Sequence, residues 1–562
     1  MIISALVQRY EDIDIPIGWQ HRDVSYGIEI DENGRLLNIL SLETSELKGK
    51  KSILRRSRLL LPLERIRASN ASKIANFLAD NGGYMLGLDS VKFESAKKFH
   101  NKLLASIDTP QSRAILAYFD NDAKQHLEHT KAIKNPEQAN YIFYFNGKRL
   151  DYFDEPLRKA WDQYYAVKDD DLDEDNRIRC LVTGQRDTPL YAHNYIRLLY
   201  AEKRGPLIGV NWDSFTSYGK GKDDRASEVG KYAAFAYHTA LSNLLWDEKH
   251  HKRLGEDTLL FWAEKGGENC ENLFSNLCDP PNIDEDSELS EIVNRISSGQ
   301  MVSFDKDDFA RKFFILCLAP NAARISVRFF HTDTFGNLVH HLQDHYERLA
   351  IVGDGRNKFA LLPLWVILSE TTIKKSAQDA HPLLAGQLLR QVLLGLPYPL
   401  TLYHAMLGRV KAGEEINQCK AAVIKAILIK NFNEKEVTTV ALNEQSLNKP
   451  YILGRLFSTL ERLQERANKN ATIRERYFSS ACANPASVFP TLLKLSFHHI
   501  AKLDNAVFFE KLIGDLLSCM VDEEPFPTTL NLEDQGRFIL GYYHQRQAFF
   551  TAKMEKEESN DE

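Results

Sequence analysis

Residues 48–89 read KGKKSILRRSRLLLPLERIRASNASKIANFLADNGGYMLGLD, and the first part of the chain is organised around this stretch. Nine cations (Lys48, Lys50, Lys51, Arg55, Arg56, Arg58, Arg65, Arg67 and Lys73) accompany one acid, Glu64, before Asp80 is reached. They lead into an Asn/Gly turn, NFLADNGGY, so the stretch reads as a loop or strand leaving a sheet. The chain as a whole has a net charge of −6. Concentrated positive charge on an acidic chain supports binding of a polyanion, most often nucleic acid, through phosphate contacts. The same residues also fit a solvated basic edge beside a turn, and charge by itself leaves both readings open.

Upstream lies the clearest strand signal. Val24–Ile30 and Arg35–Leu42 are strand-like, and Asp31-Glu32-Asn33-Gly34 between them supplies residues suited to positive φ, which predicts a hairpin. Residues 2–10 have helical spacing that closes at Asp12–Pro16. Downstream, Ser90–Leu104 returns to helical spacing, with Lys92, Lys97, Lys98 and Lys102 on its polar side. Tyr141–Phe145 followed by Asn146-Gly147 predicts a second hairpin, and Thr258–Ala263 a strand. Arg324–His331 alternates Ile325, Val327 and Phe329 with Arg324, Ser326 and Arg328, the period of a half-buried strand. Its two arginines share a face that suits either phosphate or solvent. Phe335–Val352 reads as a helix bearing His340, His341 and His345.

From about His381 the strand patterns stop. His381–Leu394, Pro399–Val410, Ile416–Lys430, Pro450–Ala467, Asn470–Ala481, Ser487–Lys502, Asn505–Cys519 and Leu530–Lys553 all place apolar residues at i, i+3, i+4. The 562 residues exceed one ordinary core. The fold class predicted is α+β: a mixed α/β N-terminal region with β-hairpins over 1–375, then an all-α helical bundle over 376–562. The closing EKEESNDE reads as a solvated tail.

Composition narrows the function classes. With 43% hydrophobic and 26% charged residues the chain is that of a soluble globular protein. Its seven cysteines are scattered and form no C-x-x-C pair, which argues against a disulfide framework or structural zinc. The N-terminus lacks the cationic start and long apolar core of a signal peptide, and no uncharged run is long enough to span a bilayer. A cytoplasmic protein with no membrane partner is expected. No G-x-S-x-G elbow, Walker A loop, Rossmann fingerprint or H-E-x-x-H occurs.

Weaker chemical candidates remain. The acidic run Asp169–Asp175 (DDDLDED) lacks the glycine of a calcium loop and reads as a solvated loop. His341 and His345 have the i, i+4 spacing of metal ligands without the glutamate of a metalloprotease, so surface histidines are expected. Tyr542, His544 and Arg546 read as hydrogen-bonded packing at a bundle end. Gly219 and Gly221 alternate with Lys220 and Lys222 ahead of an Ala-rich helix from about Glu228. That is either a patch for a nucleic-acid backbone or a flexible turn. Between Arg455 and Lys511 nine basic residues face five acids, with Arg474 and Arg476 at a helix end where they can line a groove. The expectation is no metal, no cofactor and no catalytic activity.

Long, non-repetitive segments carry a family resemblance nearly end to end. They include MIISALVQRY, SYGIEIDENGRLLNIL, NFLADNGGYMLGLD, CLVTG with the later SFTSYGK and AAFAYHTALSNLL, APNAARISVRFF, and HPLLAGQLLRQVLLGLPYP. Further on come YILGRLFSTLERLQ, NATIRERYFSSACANPASVFPTLLKLSFHHIAKL and QGRFILGYYHQRQAFF. The chain closely resembles the large subunit of the type I-C CRISPR Cascade surveillance complex (the "CRISPR-associated protein, type I-C, Dvulg subtype" family). Gln185–Val210 departs from the family pattern.

The resemblance implies a subunit at the foot of a crRNA-bound complex, near the 5′ handle of the guide. It implies recognition of the protospacer-adjacent motif (PAM) on target double-stranded DNA, help in opening that duplex for R-loop formation, and presentation to a separate helicase-nuclease effector. The implied partners are crRNA, target DNA, the Cascade backbone and handle-binding subunits, and a small subunit that is a separate C-terminal copy. Met406 or a non-AUG codon nearer Val440 is a candidate start for that copy. A guide complex leaves sequence reading to base pairing and needs only a short motif reader with backbone contacts.

Asn76, Asn81, Gly82 and Gly83 are the residues expected to approach the bases, with Lys73 nearby. Lys48, Lys50, Lys51, Arg55, Arg56 and Arg58 are expected to hold the backbone of DNA or of the RNA handle. The competing reading of Asn81-Gly82 is a hairpin turn. The competing functions are a metal-dependent nuclease and a helical scaffold that binds only proteins.

Overall fold

The computed structural model describes residues 1–48, 51–67, 73–121, 126, 129–131, 133–170, 177–190, 192–199, 201–209, 214, 227–278, 306–322, 324–353, 361–381, 383–468, 473–503, 506–520 and 525–561. The predicted hairpin forms: Tyr26–Ile30 pairs antiparallel with Leu36–Ser41. Its turn is closed by Asp31, whose Oδ1 accepts from the Asn33 amide at 2.9 Å and the Arg35 amide at 2.8 Å, while Gly34 takes φ 70°. On its other side Tyr26–Ile30 runs parallel to Asn140–Phe145, which pairs antiparallel with Ala79–Asn81 and with Lys148–Arg149. The helices Ser90–Leu104 and Pro110–Asp120 supply Phe93, Phe99, Tyr118 and Phe119 to one core with Phe77, Phe143 and Trp161.

The basic stretch is strand for much of its length. Thr44–Lys48 and Lys51–Arg55 form an antiparallel ribbon with Lys48 opposite Lys51 and Thr44 opposite Arg55. Ser57–Pro62 then pairs with Trp19–Val24, and Arg58 stands opposite Asp23. The chain thus runs from this ribbon back toward the core, where Leu59 and Leu61 are buried.

Two units make up the chain, residues 1–197 with 203–243 and residues 198–202 with 244–562. The predicted boundary at 375/376 lies well beyond this division. The reason is packing. In the second unit four antiparallel strands (His251–Leu254, Asp257–Ala263, Lys312–Asn321, Arg324–Thr334) lie side by side in that order. Their Leu259, Phe261, Phe313 and Ile315 belong to the same contiguous core as Leu388, Leu402 and Ile424 of the helical region.

The helical expectation holds through the second half: Leu384–Leu393, Leu400–Lys411, Gln418–Phe432, Lys449–Ala467, Ile473–Ala483, Pro485–Ile500, Val507–Ser518 and Leu532–Asp561 are helices. The last continues through the segment expected as a solvated tail. Its closest neighbour is Lys449–Ala467, and the two backbones nearly touch. A Cβ at Gly454 would stand 1.9 Å from the Phe538 carbonyl oxygen, and one at Gly541 2.0 Å from that of Tyr451. Among the described residues no helix is long and apolar enough to cross a membrane.

Candidate nucleic-acid interface

The turn that carries the predicted base-reading residues is held from beneath by charge. Asp80 is the middle residue of the short Ala79–Asn81 strand and is 1% exposed. Its Oδ2 accepts from the Asn76 amide at 2.8 Å and its Oδ1 from the Asn81 amide at 2.8 Å, and its carboxylate pairs with Arg67. Arg67 also donates through Nε to the Ile74 carbonyl at 2.7 Å. Arg65 donates through Nη1 to the Ala75 carbonyl at 3.1 Å and lies 4.3 Å over the Phe99 ring. Arg22, buried in the neighbouring strand, donates to the Ala79 carbonyl at 3.0 Å and pairs with Glu64 at 2.9 Å. The Glu64 carboxyl is held below its ordinary range chiefly by Arg22, with Arg204 and Arg67 adding to that pull against desolvation.

His100 completes the frame. Leu78 sits at φ 60°, and its amide donates to His100 Nε2 at 3.1 Å. The ring must therefore carry its proton on Nδ1, which donates to the Ala96 carbonyl at 2.8 Å. Burial pushes His100 down to about 4, so the ring is neutral at physiological pH.

Against this frame the predicted residues divide. Asn76 is buried, and its Oδ1 accepts from the Arg65 amide at 2.9 Å, so this side chain braces the turn and its carbonyl is not open to a base. Gly82 and Gly83 are buried as well, and the close approach Gly82 permits is to the Pro136 carbonyl of the protein itself. Asn81-Gly82 is not a hairpin turn: Asn81 ends a strand and caps the one-turn helix Gly82–Met85, its Oδ1 accepting from the Gly83 amide at 3.1 Å. Its Nδ2 has no hydrogen-bond partner among the described residues. Lys73 is exposed, and its carbonyl accepts from the Ser95 hydroxyl, while its ammonium has no partner among the described residues. Asn81, half-buried, and Lys73, exposed, thus present to solvent side-chain donors that have no partner among the described residues.

The backbone-holding cations are placed unevenly. Lys48, Lys51 and Arg55 belong to the ribbon described above, while Lys50, Lys220 and Lys222 lie outside the described residues. Arg56 is largely exposed, 3.6 Å from Glu43. Arg474, expected to line a groove, is half-buried in the first turn of Ile473–Ala483. Its Nη2 donates to the Glu414 carbonyl at 2.9 Å and its Nη1 to the Tyr542 hydroxyl at 3.4 Å, so it ties helices together. Arg476, two residues on, is exposed. Arg328 likewise spends its charge inside, donating from Nε to Asp257 at 3.1 Å.

The remaining chemical candidates meet different surroundings. His345, expected at the surface, is fully buried. Its Nδ1 lies 2.6 Å from the Tyr398 hydroxyl, and burial lowers its pKa to about 3. His340 is exposed. Most of the Asp169–Asp175 run lies outside the described residues, and among those described no group of three or more metal-binding side chains assembles. Tyr542, His544 and Arg546 pack as predicted. The Tyr542 hydroxyl donates to Glu461 at 2.6 Å, Arg546 reaches the same carboxylate at 3.3 Å, and His544 Nδ1 lies 2.8 Å from the Tyr451 hydroxyl.

Arg22, Arg65, Arg67, Asp80 and His100 were not predicted as one assembly. The sequence holds one faint signal, the alternate spacing of Arg65 and Arg67 just ahead of a turn that contains an acid. A family model described as CRISPR-associated protein (Cas_Csd1) matches residues 6–550 of the chain. No curated protein matches it.

Proposed function

Because the chain belongs to the CRISPR-associated Cas_Csd1 family, the large subunit of the type I-C Cascade complex, we propose that it recognises the PAM on double-stranded DNA and begins opening the duplex there. Recognition falls to Asn81 and Lys73, presented on the turn that Asp80, Arg67 and His100 hold rigid. The observation that carries this reading is the open Nδ2 of Asn81, whose Oδ1 is already committed to capping Gly83. An amide fixed by its oxygen offers a donor in a set direction, which suits a base-edge acceptor in either groove. Lys73 then meets phosphate, and the ribbon from Thr44 to Arg55 with Arg56 and Arg58 follows the backbone of DNA or of the guide's 5′ handle.

In this reading the subunit performs no bond cleavage itself. It hands the opened target to a separate helicase-nuclease and works with crRNA, the backbone and handle-binding subunits, and a small subunit equivalent to its own C-terminal helices. For an internally translated small subunit, Val440 is the more favourable start. It lies exposed in the join between Gln418–Phe432 and Lys449–Ala467, whereas Met406 is buried inside the helix Leu400–Lys411.

The test is the assembled complex carrying Asn81→Ala, presented with duplexes that have or lack the motif. Lost discrimination with intact assembly is expected, and unchanged discrimination removes Asn81 from the site. Incubating the purified chain with labelled DNA and RNA in Mg²⁺ or Mn²⁺ tests the non-catalytic assignment. Metal-dependent cleavage that vanishes on substituting His341 and the Asp169–Asp175 carboxylates would overturn it.

A further inference from the structure

A cleft of about 580 Å³ opens between the polar face of the Ile2–Tyr10 helix and the turn Val182–Gln185 with the strand Arg186–Asp187 that follows it, which pairs with Ile178–Arg179. That volume falls within the range of about 300–1,000 Å³ usual for small-ligand sites. Its loop wall is rigid for a reason written in CLVTG. The Cys180 sulfur accepts amides from Val182 at 3.4 Å and Gly230 at 3.3 Å, and the Cys180 carbonyl and amide bond Gly184 at 2.8 Å and Gln185 at 2.9 Å. The loop therefore forms a tight knuckle that holds Thr183 and Gln185 at the cleft. Asp187 is spent on backbone, accepting the Tyr232 amide at 2.9 Å and the Thr188 amide at 2.7 Å, which fixes Tyr232 at the cleft wall.

The groups left over have a particular chemistry. Tyr232 with Val7 and Val182 makes an aromatic and aliphatic wall. Gln8 and Gln185, both exposed, offer amides that donate and accept from opposite sides, and Glu11 adds an acceptor. Paired amides beside a ring are the donor–acceptor set that reads the edge of an unstacked base. Two carboxylates, Glu11 and Asp187, against one guanidinium, Arg186, make the interior unfavourable for phosphate. The charged backbone of such a ligand stays outside, near the exposed Arg186.

We propose that this cleft takes a single unpaired nucleobase of the complex's own nucleic acid, stacked on Tyr232 and held at its edge by Gln8 and Gln185. The proposal rests on the function given above. The base comes either from the guide RNA or from a separated strand of target DNA, and the test distinguishes them.

Complexes are assembled on guides carrying 2-aminopurine at one position at a time. In a second arm, unlabelled guide complexes are bound to motif-bearing DNA labelled in the same way. One quenched position is expected, whose fluorescence recovers severalfold in the double variant Gln8→Ala/Gln185→Ala. Both side chains are exposed, so assembly and thermal midpoint should not change. Quenching in the guide arm names RNA as the source, and quenching only in the DNA arm names DNA. If no position is quenched, or if quenching is untouched by the double variant while motif-dependent DNA binding persists, the cleft is not a base site and the function stands. A purified complex without RNA overturns both.

Discussion

The guanidinium of Arg67 lies 4.2 Å from the centre of the Tyr84 ring while pairing with Asp80, whose side chain is 2% exposed. This pair joins the basic stretch to the turn after it, so the arginine nearest the turn is structural. Removing the acid leaves a guanidinium and two amides without their acceptor. Breaking such a buried pair typically costs about 3–5 kcal/mol. Asp80→Ala should therefore lower the thermal midpoint and speed amide exchange across Ala75–Asn81. Unchanged exchange at those amides would show that Asp80 does not hold the turn.

Asn81 allows structure and recognition to be separated. Asn81→Asp keeps an oxygen to cap Gly83 and loses the Nδ2 donor, whereas Asn81→Ala loses both. The cap is worth about 1 kcal/mol, so the alanine variant should be mildly destabilised and the aspartate variant nearly wild-type in stability. Both should lose about tenfold or more in discrimination between motif-bearing and motif-lacking duplexes, given the usual worth of a side-chain contact to a base edge. Aspartate that discriminates as well as asparagine would assign reading to another residue.

What was legible in the sequence follows where periodicity is one-sided. The hairpin around Asp31 and helices such as Leu384–Leu393, whose Gln387 and Arg390 face solvent, bury one face, so their spacing announces them. Lys312–Asn321 was missed because Phe313 through Ala319 are all buried in the middle of a sheet, and a strand covered on both faces shows no alternation. The site misled for a different reason. Charge was visible residue by residue, but pairing is a property of the fold. Arg65 and Arg67 counted toward a basic patch until Asp80 and the carbonyls of Ile74 and Ala75 were found to consume them. Asn76 looked like a reader because asparagine suits bases and buried turns equally well.

If Lys73 meets phosphate, its loss should weaken binding to all duplexes alike. Lys73→Ala should reduce the slope of log affinity against log salt by about one unit without changing motif preference. Arg56→Ala, on the strand side of the same stretch, should act in the same direction. A Lys73 variant whose salt dependence matches the parent would place that ammonium away from nucleic acid.

Acid should loosen the turn through His100. The folded pKa is lowered to about 4 by burial, while an unfolded histidine titrates near 6.5. Between these values the unfolded chain binds the extra proton, so stability is full above about pH 6.5 and is lost as pH falls toward 4. Protonation also removes the Nε2 acceptor from the Leu78 amide. His100→Gln retains an acceptor that does not titrate. Its thermal midpoint should fall less steeply between pH 6.5 and 4 than that of the parent, and equal slopes would assign the acid sensitivity to other buried histidines such as His238 and His345.

The two glycines after Asn81 should respond unequally to the same substitution. A Cβ on Gly82 would stand 2.1 Å from the Pro136 carbonyl oxygen, a backbone atom that moves only with its chain. On Gly83 it would meet the flexible Lys92 side chain at 3.1 Å and Asn81 Oδ1 at 3.2 Å. Overpacking against fixed atoms costs typically about 1–3 kcal/mol. Gly82→Ala should therefore lower the thermal midpoint and weaken motif-dependent binding, because it pushes Asn81 off the end of its strand. Gly83→Ala should leave stability nearly unchanged, since Lys92 can swing aside, and should alter binding only as far as it crowds the Asn81 side chain. Equal effects of the two substitutions would mean that the base-reading position is not set by the contact between Gly82 and Pro136.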